Sequence, residues 1–422
     1  MKRCWLKAMF VLLAFWARPA AAQLPAGGGD SDRELIRQLL ERVQRLEAEV
    51  RELKAQRAVP SPVAAELVAP AAAPAPQAAQ APAPASQGTM SMMDAFAHGS
   101  PAMSFRGFSD VSFHATDQRG TTNSFALGQF NLFITSRLSE RLGVLAEAVL
   151  EADQQNAFGF ELERLLLQYS ASDRFNVSVG RYHTAIGWYN TAYHHSTWMQ
   201  TAVGRPLFLE FEDKGGILPV HNVGISVNGS IPSGNLGLHY VAEIGNGRTS
   251  RSALDEPVQN VVDENNGKSV NFGLSARPDR LSGFQAGFSV YHDRLTPAGL
   301  PNVDETIMAA HAVYQTSNFE WLNEGVVVRD AINGTGRVMH TPAFYSQLSR
   351  RFGPVRPYFR YQYVNAPDGN PVYPDVRLLY GPSLGIRYDF SDFAAFKIQY
   401  DRTDRRGQGG VNGVTTQLSF AF

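Results

Sequence analysis

The stretch VTTQLSFAF (414–422) puts Val414, Thr416, Leu418, Phe420 and Phe422 on one parity and Thr415, Gln417, Ser419 and Ala421 on the other. Side chains in a strand alternate between two faces, so the apolar set shares one face and the small or polar set the opposite one. A soluble sheet turns such an apolar face into a core, whereas a barrel in lipid turns it outward and encloses the polar face. The fold depends on which of these applies.

The same alternation recurs from Met103 onward. Leu142, Val144, Ala146, Ala148 and Leu150 alternate with a set that includes Glu147 and Glu151; Phe284, Ala286, Phe288 and Val290 form another apolar row. Near the C-terminus, Leu384, Ile386, Tyr388 and Phe390 are interleaved with Arg387 and Asp389, and Phe396, Ile398 and Tyr400 with Lys397, Gln399 and Asp401. Polar rows of this kind need water or partners. Segments of about 9–11 residues between Gly/Asn/Asp turns give about 16 strands, within about 14–18, because 204–216 and 303–331 are ambiguous. The expected fold is an all-β transmembrane antiparallel barrel over 103–422, closed because lipid cannot satisfy a sheet edge. A soluble β-sandwich, β-helix or two-domain β-protein is the alternative, but such folds do not need polar residues along nearly every opposite face.

The N-terminal quarter is organised differently. Residues 1–22 read as an export signal: Lys2, Arg3 and Lys7 precede the apolar run Ala8 to Trp16, and Ala20 to Ala22 offer a small-residue cleavage site. Within 31–57, Ile36, Leu39, Val43, Leu46, Val50 and Leu53 alternate spacings of three and four, the core of an oligomerising α-helical coiled coil. Ile/Val at a with Leu at d leans toward a parallel dimer, while Leu35 and Leu40 widen the stripe and keep a trimer open. A lone amphipathic helix resting on another surface is the alternative. Residues 58–102 are a Pro/Ala-rich linker and Met-containing lead-in, a semi-extended spacer that places the helix away from the strands.

The 422 residues carry a formal net charge of -1, which argues against polyanion binding as the principal task, because a nucleic-acid protein normally displays a basic footprint. The only cysteine, Cys4, lies in the export signal, so the remainder of the chain forms no disulfide and offers no thiolate. From Pro101 onward, 27 Lys/Arg stand against 30 Asp/Glu, and Lys214, Lys268 and Lys397 are the only lysines.

The strand region resembles Gram-negative outer-membrane porins, particularly the broad phosphate-selective porin-like group, in FRGFSDVSF (105–113), VSVGRYHTAIGWYN (177–190) and QLSFAF (417–422). The resemblance implies a homo-oligomer, typically a trimer of barrels of about 16 strands, each with its own channel. It implies that Phe420 and Phe422 form a signal read by the barrel assembly machinery, and that any coiled coil stands in the periplasm. No basic ladder of the phosphate-selective archetypes is present, so the resemblance supports a channel more than phosphate as its cargo.

A porin passes small hydrophilic solutes or ions by exclusion and electrostatic preference, without a covalent step or cofactor. Candidate pore-lining residues are Arg106, Glu147, Glu151, Glu161, Glu163, Arg164, Arg181, Glu243, Arg356, Arg360, Arg387 and Asp389. The segment from His183 to Gly216 exceeds an ordinary hairpin and is a candidate constriction loop, with Trp188, Tyr189, Tyr193, His194, His195, Trp198, Arg205, Glu210, Glu212, Asp213 and Lys214. An external cap or an aromatic membrane girdle fits the same composition. Adjacent His194 and His195 would point to opposite faces of a strand, and no HExxH or grouped Cys/His set predicts a metal. The alternatives to a porin are a poorly conducting structural tether between envelope layers and an outer-membrane hydrolase, though no GxSxG elbow supports the latter.

Overall fold

A computed structural model describes residues 101–153, 155–193, 197–250 and 257–422. The export signal, the coiled coil at 31–57, residues 58–100 of the linker, His194 and His195 lie outside the described residues, as does the side chain of Asp213.

The described chain forms strand segments β1 (Met103–Thr116), β2 (Ser124–Leu127), β3 (Phe130–Arg137), β4 (Leu142–Ala152), β5 (Phe158–Ser172), β6 (Phe175–His183), β7 (His221–Ile231), β8 (Leu238–Gly245) and β9 (Ser269–Ala276). It continues through β10 (Phe284–Leu295), β11 (Val303–Gln315), β12 (Phe319–Ile332), β13 (Arg337–Arg350), β14 (Val355–Asn365), β15 (Leu378–Ser391), β16 (Ala394–Arg405) and β17 (Gly409–Ala421). Segments β2 and β3 both pair with β1, through Val111↔Leu127 and Phe108↔Asn131, so they are one strand interrupted at Gly128. A Cβ on Gly128 would lie 2.1 Å from the Asp110 carboxylate, which is why the interruption carries glycine. The result is a closed antiparallel barrel of 16 strands.

Closure joins the first strand to the last. Val111 faces Leu418 across the β1–β17 seam, and Phe422 exchanges two backbone hydrogen bonds with Gly107, at 2.7 and 2.9 Å. The Phe422 ring occupies the space that a Cβ on Gly107 would need.

The parity of the sequence becomes the two surfaces of the wall. Leu384 is 51% exposed, whereas Ser383 beside it is 0% exposed. Leu418, Ile398, Ile386, Phe288 and Leu167 likewise face outward, while Ser419, Gln417, Lys397, Gln399 and Ser289 are buried within. A soluble sandwich would bury the first set; an apolar exterior around a polar interior is what a bilayer demands of a barrel.

The two ends differ in their connections. At the end holding Met103 and Phe422 the strands are joined by short turns such as 173–174, 316–318 and 392–393. The opposite end carries 184–220, 246–268 and 366–377. In β5, a register shift pairs Glu147 with Arg164 and Ala148 with Leu162, leaving Glu163 as the extra residue. This bulge lets the consecutive Glu163 and Arg164 both reach interior partners.

Candidate functional site

Residues 184–193 and 197–220 fold into the barrel. One side is apolar: Ile186, Trp188, Tyr189, Tyr193, Phe208, Leu209, Ile217 and Leu218 are buried in one cluster with Tyr291, Ile307, Leu322, Val326, Val328 and Tyr345 of β10–β13. The aromatic run therefore packs against the inner wall and forms neither an external cap nor a girdle.

Polar side chains from the wall complete the seating, because an irregular segment leaves many backbone groups without partners. Glu324 of β12 accepts hydrogen bonds from the backbone N–H of Trp188 and Tyr189, at 3.2 and 3.0 Å, at the start of the short helix α1 (Tyr189–Ala192). Gly187 sits over this carboxylate with φ +72°, and a Cβ there would come within 1.9 Å of Glu324 Oε1. Glu320 accepts from the Tyr193 hydroxyl at 3.0 Å and from Thr201 at 3.2 Å. Within the loop, Asn190 donates to the carbonyls of Thr184 and Val220, tying the two stems together. Arg205 donates to Asn190 at 3.0 Å, with its guanidinium 4.6 Å from the Phe211 ring centre. Burial lowers the Arg205 pKa from its ordinary value, and it raises that of Glu212, whose carboxylate accepts from Val220 N–H at 2.7 Å.

The far part of the loop, 197–204, lies against β14–β17. Lys397 Nζ donates to the carbonyls of Thr197 and Ala202 and to Gln417 Oε1. Arg387 donates to the carbonyls of Trp198 and Gln200, at 2.6 and 3.0 Å, and Arg360 to those of Gly204 and Val203, at 3.0 and 3.2 Å. Gln399 both accepts from Val203 N–H and donates to its carbonyl.

Beside the helical turn a cavity of about 530 Å³ remains in the lumen, lined in part by Arg164, Tyr182, His183, Trp188, Glu243 and His311. Arg164 donates to Glu147 at 2.7 Å and lies over the Phe133 ring at 5.2 Å. Glu243 accepts from Ala185 N–H, Ser226 and Asn271, so both of its oxygens are engaged. Among the described residues no cluster of three or more metal-ligating side chains occurs.

The remaining sequence candidates fall into three groups. Arg106 is exposed on β1, and Arg356 is half-buried with its guanidinium 3.4 Å from the Thr201 hydroxyl. Glu151, Glu161 and Glu163 line a smaller pocket, where Glu163 lies 2.7 Å from His221 and Glu151 lies 3.5 Å from Lys214, and Arg181 pairs with Glu161 at 2.7 Å. Asp389 is paired with Arg387 at 2.7 Å, while Arg360 and Arg387 themselves lie buried beneath the loop. Trp198 contributes its carbonyl to that contact, and Glu210 is half-buried.

Sequence reasoning missed Glu320, Glu324 and Lys397 as loop anchors, although Lys397 stands on the polar parity of its strand. It also missed a group at the mouth, where Arg248 reaches Glu305 at 2.5 Å and the Tyr373 hydroxyl donates to Glu305 at 2.6 Å. These residues come from segments distant in sequence, and no local pattern marks them.

No protein-family model and no curated protein matches the chain. Several solved structures share its fold. An anion-selective porin from Comamonas acidovorans is similar at 12% identity and a TM-score of 0.55, over 76% of this chain and 100% of that one. Salmonella typhi OmpF, in a complex with daunomycin, is similar at 13% identity and 0.55, over 76% and 98%. The trimer form of Vibrio cholerae OmpT is similar at 10% identity and 0.53, over 76% and 99%.

Proposed function

We propose that this chain is an outer-membrane porin that lets small hydrophilic solutes or ions diffuse through a water-filled lumen. The observation that carries the reading is the inverted wall, apolar outside and polar inside, with a loop seated in the bore and a charged cavity left beside it. The short-turn end, which holds both barrel termini, faces the periplasm, as in other barrels of this build. The coiled coil at 31–57 then stands in the periplasm and supports a homo-oligomer, with a trimer favoured by the resemblance to porins. Phe420 and Phe422 serve as the signal for the barrel assembly machinery, and lipids cover the apolar band.

Solutes meet Arg106 at the periplasmic side, then the Arg164–Glu147 pair, Glu243 and Arg356 near the loop. Glu151, Glu161, Glu163, Arg181 and Asp389 contribute charge around the same route. Paired acids and bases keep a confined passage wet and give it a transverse field that orients polar solutes.

Purified protein in planar bilayers tests this directly. Stepwise, reproducible conductance, together with trimer mass in native detergent complexes, is expected. Folded barrels that insert without conducting would replace the channel with a structural tether, and lipid hydrolysis would place the protein among the enzymes.

A further inference from the structure

Three buried cations and an amide on β14–β16 do a task that their position on the lumen wall does not announce. We infer that Arg360, Arg387, Lys397 and Gln399 are positioning residues that latch loop segment 197–204 across the lumen, setting the width of the bore rather than contacting the solute. This rests on the channel reading above.

The segment 197–204 forms no regular helix or strand, so its carbonyls lack ladder partners. Those of Thr197, Trp198, Gln200, Ala202, Val203 and Gly204 all accept hydrogen bonds from these four wall residues. Cationic side chains suit such a row because they are rich in donors, accept nothing, and make stronger hydrogen bonds than neutral groups.

The same contacts remove the donors from the solute path. An ammonium has three N–H groups, and Lys397 directs Nζ at three acceptors: Thr197, Ala202 and Gln417. Arg387 spends Nη1 on the loop and Nε on Asp389. Lys397 is 0%, Arg360 2% and Arg387 9% exposed, so none presents a free face to the lumen. Gln399 makes the same kind of contact without charge, which shows that hydrogen bonding to the loop, rather than field strength, is the shared feature.

The test separates position from charge. Arg387→Lys keeps the charge and removes the forked donor; Gln399→Ala removes a latch contact without altering charge. Both are expected to raise unit conductance and the size of the largest neutral sugar admitted in liposome swelling, with an unchanged reversal potential in a salt gradient. If Arg387→Lys changes nothing while Arg387→Gln shifts the reversal potential toward cations at constant sugar permeation, the side chain acts as a solute-facing charge and the latch is wrong.

A second readout does not require conduction. Ala202→Cys, in a chain with Cys4 replaced by Ser, places a thiol at a buried loop position. In folded, heat-modifiable barrels, the latch variants should label roughly two- to tenfold faster with a water-soluble maleimide, the change set by losing about one net hydrogen bond from a locally opening segment. Unchanged labelling overturns the latch. Faster labelling in a barrel that never conducts would keep the latch and sink the channel.

Discussion

One loop is held by two walls in different ways. Against β10–β13 it buries Phe208, Leu209, Tyr189 and Ile217 among Ile307, Leu322, Val328 and Tyr345; against β14–β17 it meets Arg360, Arg387, Lys397 and Gln399. Each large apolar side chain removed from water contributes about 1.5–3 kcal/mol. A net hydrogen bond contributes about 0.5–1.5 kcal/mol, but it constrains distance and direction. The apolar wall therefore carries most of the loop's stability and the polar wall its placement.

The sharpest way to break this contrast is Phe208→Ala. The ring is 0% exposed at the centre of the apolar contact, and its loss should destabilise the folded barrel by about 3–5 kcal/mol. Denaturant unfolding in detergent micelles measures it. A loss no larger than that of a polar-wall variant would show that the loop is not cemented by its apolar side.

Glu324→Gln is the intermediate case, because Glu324 is a polar anchor placed within the apolar wall. It keeps one carbonyl acceptor for the N–H groups of Trp188 and Tyr189 and loses the other oxygen. Leaving a buried donor without its acceptor costs about 1–3 kcal/mol. Amide exchange at Tyr189 should rise while exchange in β15–β17 stays fixed; equal acceleration across the barrel would deny the local role.

On the polar wall, Gln362 accepts from Leu207 N–H at 3.1 Å. Gln362→Ala should cost only about 0.5–1.5 kcal/mol in the same unfolding measurement. Its effect should instead appear as broader single-channel current noise. A large loss of stability with quiet currents would reverse the assignment of the two walls.

The same contrast explains what the sequence discloses. Period-two patterning is clear in β15–β17, where the lumen face is polar, and there it orients each strand correctly. Over 303–331 it blurs, because Val303, Ile307, Val313, Leu322 and Val328 face inward while Met308 and Trp321 face outward. Both parities are apolar there because the loop brings a core into the bore, and one strand cannot reveal that. Parity likewise turns Arg360 and Arg387 inward, but the loop that covers them is joined to the wall by contacts over more than a hundred positions, such as that of Glu324 with Tyr189. The glycine at the break between β2 and β3 is similarly silent, since the space that a Cβ would need is filled by the Asp110 side chain of the neighbouring strand.

The smallest expected effect concerns pH. Glu212 brings a carboxylate into the buried return limb of the loop, and burial holds its pKa above the ordinary 4.5 despite the nearby His221 and the hydrogen bond from Val220 N–H. The folded state therefore keeps this proton to higher pH than the unfolded chain does. Between the ordinary glutamate value and the raised one the folded form binds more protons, so this group's contribution to stability falls as pH rises through that interval and is level above it. Glu212→Gln retains an acceptor for Val220 and cannot ionise. The difference in unfolding free energy between wild type and variant should thus shift in the variant's favour as pH rises across the interval. A difference independent of pH would mean that the carboxylate is as well solvated in the loop as in the unfolded chain, and that this limb belongs with the open, polar side of the lumen.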